Sequence, residues 1–150
     1  MTVYADTSFL CSIYRNQVHT PQALAYKETL KSPIPFTRLL EFEFIQEIRL
    51  QIFLHESDRT KGYPARAADQ MVADWKADIA AGLNVLVPSD TDAVLRLART
   101  YSLEHTAHGG HRTLDILHVA TAVHLRASTF LTFDARQRKL AHHAGLKVPM

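Results

Sequence analysis

"STFLTFDARQ" occupies residues 128–137. Phe130, Leu131 and Phe133 suit the interior of a sheet, and the run has the length of a buried strand. It runs straight into a carboxylate, Asp134, and then into a helical stretch, 135–144, closed by Gly145. The same pattern opens the chain: "TVYA" (2–5), then Asp6, then a helical stretch over 9–15. An Asp at such a junction accepts hydrogen bonds from the free N–H groups of the first helical turn, so each acid alone reads as a cap. Two such acids at strand ends raise a second possibility, a shared site.

Outward from these junctions, strands and helices alternate. "NVLVP" and "LKVP" read as further strands, and helical stretches cover 21–30, 38–55, 65–81 and 113–126, with another in "SDTDAVLRLARTY". "KSPIP" (31–35) breaks the second helix, while "SDRTKGYP" (57–64) and "HTAHGGHR" (105–112) read as loops. Strands separated by helices of ten or more residues predict an α/β fold with a parallel sheet and helices on both faces. In such sheets ligands bind beyond the carboxyl ends of the strands, which is where Asp6 and Asp134 fall.

Two more acids have a phase that points inward. In "RTLDILHVATAVHL", Asp115 shares a helix face with His118, Val119 and Ala122, where a charge is costly unless paired or bound to a cation. Its alternative role is to favour the helix dipole from the first turn. In "FTRLLEFEFIQEIRL", Glu41 has Phe44, Ile45 and Ile48 at helical spacing, whereas Glu43 has Gln46, Glu47 and Leu50. Phase therefore favours Glu41 as the inward acid, and a shift of one turn would exchange the two.

Four convergent carboxylates would drive one another toward protonation. A hard divalent cation relieves that repulsion, and Mg²⁺ or Mn²⁺ favours oxygen donors and substrate phosphate. Thr7, Ser8 and Thr132 flank the acids with hydroxyls able to orient water or the carboxylates. Metal-assisted phosphodiester hydrolysis is the chemistry this donor set suits. From Gly110 onward six Lys or Arg stand against two acids, and Arg112, Arg136 and Arg138 are the candidates for holding a polyanion; a solvated helix face is the plainer reading. Set aside the four acids, and 17 basic residues face 11 acidic ones.

Composition bounds the rest. At 150 residues, 47% hydrophobic and 21% charged, the chain fits a single soluble domain, 1–150. No apolar run is long enough to cross a bilayer, and no basic leader precedes an apolar stretch. A lone Cys11 excludes an internal disulfide and fits a reducing compartment, so the expected location is cytoplasmic. Cys11 itself reads as buried packing, since no base is assigned to it. His108, His111 and His118 lack a zinc-ligand spacing such as H-E-x-x-H. His118 reads as a packing residue or a support for the acids, and His142 and His143 as facing solvent or a partner. A receiver-like domain would need a Lys after a late strand, but Lys147 starts one. A haloacid-dehalogenase-type phosphatase would need an acid where Ser8 stands.

"YADTSFL", the inward Glu of the third helix, "LDILHVATAV" and "FLTFDARQRKLAHHAGLKV" together resemble PIN-domain ribonucleases, and among them VapC-type toxins. The likeness runs from Tyr4 to Val148, and the C-terminal pair of motifs is its most specific part. It implies a PIN-like three-layer fold with a five-stranded parallel sheet flanked by helices. It also implies Asp6, Glu41, Asp115 and Asp134 gathered around Mg²⁺ or Mn²⁺. The implied activity is endoribonucleolytic, leaving a 5′-phosphate and a 3′-hydroxyl. The implied partners are an RNA substrate, a cognate antitoxin and a second copy of the chain. The alternative is a non-catalytic PIN-like module that binds RNA or protein.

Overall fold

Among the described residues, 2–150, the computed structural model has four short strands and eight α-helices. β1 (Val3–Ala5) passes through Asp6 into α1 (Thr7–Tyr14), followed by α2 (Thr20–Thr29), β2 (Ile34–Phe36), α3 (Arg38–Ser57) and α4 (Ala65–Ala80). Then come β3 (Asn84–Leu86), α5 (Thr91–Tyr101), a π-wound turn over Ser102–Thr106 and the single turn α6 (Ala107–Gly109). α7 (Thr113–His124), β4 (Thr129–Leu131) and α8 (Ala135–His143) complete the order. No described helix is long and apolar enough to cross a membrane.

The strands pair in parallel, as expected. β1 pairs with β4 in the register Val3↔Thr129 to Ala5↔Leu131, and β2 with β3 from Ile34↔Asn84 to Phe36↔Leu86. β1 lies beside β2, so the two pairs form adjacent halves of one layer.

Three local expectations are corrected. "KSPIP" does more than break a helix, because Ile34 and Pro35 begin β2. On the β3 side the ladder uses the Ile34 N–H on Leu83 O (2.9 Å) and the Val87 N–H on Phe36 O (2.8 Å). By strand alternation the Pro35 nitrogen faces the β1 side, where it has no hydrogen to donate, and no ladder forms there. "LKVP" contributes a single parallel bridge, Lys147 to Thr129, rather than a full strand. Between the Gly145 turn and Pro149, which again lacks an N–H, there is little chain left to pair. The described residues thus carry four strands and one bridge, not five strands. The third correction is "HTAHGGHR", whose first five residues are helical and extend α5 through the π turn before Gly110 (φ 63°) ends it.

Between sheet and helices lies the core, with Tyr4, Phe9, Phe36, Phe44, Trp75 and Phe130 fully buried. Trp75 of α4 meets Phe36 at 4.9 Å and Phe44 at 5.2 Å between ring centroids. Each such ring removed from water contributes roughly 1.5–3 kcal/mol. Leu40, Phe44 and Ile48 form the buried stripe of α3, while Phe42 and Phe53 on the same helix stand exposed. Tyr4 of β1 meets His118 of α7 at 3.0 Å between hydroxyl and ring nitrogen, which ties the strand to that helix.

Candidate functional site

Asp6 is the innermost acid. It leaves β1 with no exposure at all and caps α1, its Oδ1 accepting the Phe9 N–H at 2.9 Å. Ser8 donates to the same oxygen at 2.7 Å, and Thr132 donates to Oδ2 at 2.6 Å. All three donors are neutral. Burial pushes the Asp6 carboxyl up to about 6, and the three hydrogen bonds oppose that rise without cancelling it. Thr132 and Ser8 also tie the ends of β1 and β4 together: Thr132 Oγ1 accepts the Asp134 N–H at 2.9 Å, and Ser8 Oγ the Phe133 N–H at 2.9 Å.

Asp134 divides its two oxygens. Oδ1 caps α8 through the N–H groups of Arg136 (2.7 Å) and Gln137 (3.0 Å). Oδ2 lies 3.7 Å from the Arg112 guanidinium. Asp115, on the first turn of α7, is nearly buried and is grasped by the same arginine: the Arg112 backbone N–H and Nε donate to Oδ2 at 3.1 and 3.2 Å. Arg112, itself exposed, therefore bridges Asp115 and Asp134. Its pKa is raised first by Asp115 and further by Asp134 and Glu43.

The structure separates the two glutamates. Glu41 pairs with Arg38 at 2.7 Å on the exposed side of α3. Glu43 instead accepts from the Thr7 hydroxyl and contacts His118 Nε2 at 2.5 Å. Successive helical residues turn by about 100°, so the two glutamates flank the Leu40–Phe44–Ile48 stripe on opposite sides. The site lies beside the core rather than in it, and it is Glu43's flank that faces α1 and α7. An ionised carboxylate only accepts, so His118 Nε2 donates to Glu43, and Nδ1 accepts from the Tyr4 hydroxyl at 3.0 Å. Tyr4 and His118 are both fully buried. Although burial works the other way, the His118 and Thr7 contacts hold the Glu43 pKa below its usual range. Two signals in the sequence could have found this chain of contacts: Tyr4 and Asp6 stand at period two along the extended run, and His118 lies one turn past Asp115.

Arg112 thus joins Asp115 to Asp134 with Glu43 in its field, while Asp6 is tied to the Asp134 backbone through Thr132. The donors are all oxygen, and the most buried acid has only neutral partners, a set that suits a hard divalent ion. Among the described residues no three His, Cys, Asp or Glu side chains already stand in coordinating positions, and Arg112 lies between two of the acids. Of the other candidate arginines, Arg136 is exposed beside the site, and Arg138 has its Nε buried without a partner. Burial pushes the Cys11 thiol up to about 12, so it stays protonated and inert as a nucleophile.

Comparison with known proteins completes the description. Residues 3–143 match the PIN domain family. VapC20 of Mycobacterium tuberculosis, a toxin that cleaves the sarcin-ricin loop, superposes with a TM-score of 0.64 at 14% identity, over 92% of this chain and 94% of that one. FitAcB of Neisseria gonorrhoeae gives 0.65 at 16% identity, over 98% and 96%. PAE2754 of Pyrobaculum aerophilum gives 0.56 at 16%, over 99% and 83%. At these identities the likeness is one of fold. No curated protein matches the chain in sequence.

Proposed function

The chain belongs to the PIN domain family, and we propose that it is a metal-dependent endoribonuclease, the toxin of a toxin–antitoxin pair. One observation carries the reading: a fully buried aspartate with only neutral hydrogen-bond partners is tied through Thr132 to the Asp134 backbone at the adjoining strand end. Capping α1 does not require that burial, whereas binding a cation does benefit from it. Asp6, Glu43, Asp115 and Asp134 would hold Mg²⁺ or Mn²⁺, which when bound supplies an acidified water for attack on a phosphodiester.

The chain's own groups divide the remaining work. Thr132 and Ser8 fix both oxygens of Asp6. His118, set by Tyr4, aims the Glu43 carboxylate. Arg112 is exposed enough to leave Asp115 and Asp134 for a substrate phosphate, which its planar fork can grip. The likeness to a toxin, VapC20, supports an antitoxin partner, and the exposed Phe42 and Phe53 on α3 offer apolar surface for it or for a second copy. The lone Cys11 fits a reducing, cytoplasmic setting.

The test is cleavage of a structured RNA pool with Mg²⁺ or Mn²⁺, with EDTA, and by Asp6→Asn. Cutting that needs metal and is lost in the variant supports the reading. No cutting by folded, partner-free protein would favour the alternative, a non-catalytic binding module. Arg112's seat between Asp115 and Asp134 is the observation on that side.

A further inference from the structure

The histidine-rich segment left unused by the acidic cluster forms one wall of a separate groove of about 520 Å³. The π turn and α6 bring His105 and His108 to it, and His111 follows. The opposite wall is one face of α8, where Arg136, Lys139 and His143 recur at helical spacing. π-wound turns are rare and concentrate at functional sites, and this one carries His105. The His105 and His143 rings stack with centroids 4.8 Å apart and planes within 18°. His111 is only 8% exposed, and its Nδ1 is buried without a hydrogen-bond partner. A Cβ on Gly109 would lie 2.3 Å from His111 Nε2, so the ring packs directly against the Gly109 backbone.

A transition metal is a poor fit. The stacked rings present faces rather than nitrogens to each other, two permanent cations stand in the wall, and no described trio of ligands is in coordinating positions. Planar rings beside fixed cations suit a nucleotide, and the volume falls in the range of small-ligand pockets. Each wall of the groove is joined along the chain to the acidic cluster, since Arg136 follows Asp134 by two residues and His111 precedes Arg112.

We propose that this groove is a nucleotide subsite that holds one RNA nucleotide flanking the scissile phosphate, its phosphate on Arg136 and Lys139 and its base against the His105 and His143 rings. Glu104 stands at the rim, 3.7 Å from His105 Nε2. The inference rests on RNA being the ligand of the acidic site, so its test separates the two.

Fluorescence anisotropy of a labelled eight-nucleotide RNA is measured in EDTA, where no cleavage occurs. The variants are His143→Ala, His143→Phe and Lys139→Ala, with Lys61→Ala outside the groove as the control for general charge and melting curves to confirm folding. His143→Ala and Lys139→Ala should each weaken binding at least fivefold. His143→Phe, which keeps a ring for stacking, should stay within threefold of the parent, and Lys61→Ala within twofold. Affinities unchanged in the groove variants, or Phe as damaging as Ala, would overturn the subsite. So would polyglutamate competing as well as RNA, which would make the groove a site for acidic peptide. If the groove variants lose RNA binding but the parent never cleaves, the groove stands as an RNA-binding site, while its place beside a scissile phosphate and the nuclease reading both fall. If the parent cleaves and the variants bind and cut as it does, the nuclease stands and the subsite falls.

Discussion

Asp6 and Asp90 hold the same local position in two regions of the molecule. Each follows a strand, each precedes a helix, and each accepts the N–H three residues on, Phe9 for Asp6 at 2.9 Å and Ala93 for Asp90 at 3.0 Å. Yet they titrate in opposite directions. At the β3–α5 junction Asp90 stands in water, and the Ala93 N–H lowers its pKa. At the β1–α1 junction burial dominates, and Asp6 rises from 3.8 to about 6. Capping is satisfied equally well in both places, so it cannot be the reason Asp6 is buried. A carboxylate kept dry against its own solvation, beside Thr132 and within reach of His118, fits the metal-site role proposed for it.

The sharpest way to break this contrast is to neutralise each cap. Asp6→Asn should cut metal-dependent RNA cleavage by more than about 100-fold, as expected for loss of a metal-site carboxylate. Asp90→Asn should leave the rate within twofold, because Asn caps as well as Asp. Equal rates in a gel-based assay would remove the distinction. The next largest effect falls on Mn²⁺ affinity, read by electron paramagnetic resonance: His118→Leu should weaken it about 10- to 100-fold by freeing Glu43, and His118→Gln should recover part of the loss. Glu41→Gln should change nothing in the same titration.

Stability offers a smaller and differently signed test. Because Asp6 has a raised pKa in the fold, the folded chain binds more protons than the unfolded one between about pH 4 and 6. Its charged form therefore costs stability above that window, by roughly 1–3 kcal/mol. In EDTA, Asp6→Asn should gain stability over the parent that grows from pH 4 to 6 and then levels off, as followed by denaturant unfolding. The same gain at pH 4 would contradict the assignment. Smallest of all, Arg112→Ala should tighten Mn²⁺ binding by no more than about fivefold, since exposed ion pairs contribute little, while raising the KM for RNA.

What could be read from sequence follows from how local each signal is. The junctions at Asp6 and Asp134 show themselves because an apolar strand ending in an acid is visible within a few residues. Asp115 shows itself by helical phase against Val119 and Ala122. Glu43 is different: both glutamates flank the core stripe, and choosing between them needs the position of α7, which arrives some seventy residues later in the chain (75 separate Glu43 from His118). β2 is hidden because Pro33 and Pro35 read as breakers, and one-sided pairing with β3 is a tertiary fact. The helical winding of "HTAHGGHR" is hidden too, since a π turn has no periodicity of its own in five residues.

The contact between Asp6 and Thr132 spans 126 residues of chain. At ribosomal rates of 5–20 residues per second, Asp6 waits on the order of ten seconds after its own synthesis before Thr132 exists to meet it. Asp115 and the His118 that aims Glu43 are also made late, so the acidic cluster has no partial version earlier in translation. A growing or prematurely terminated chain lacking β4 carries the first acids without their partners. Assembly of the site is thereby timed to near-completion of the domain, and the interval gives any binding partner made alongside it a head start.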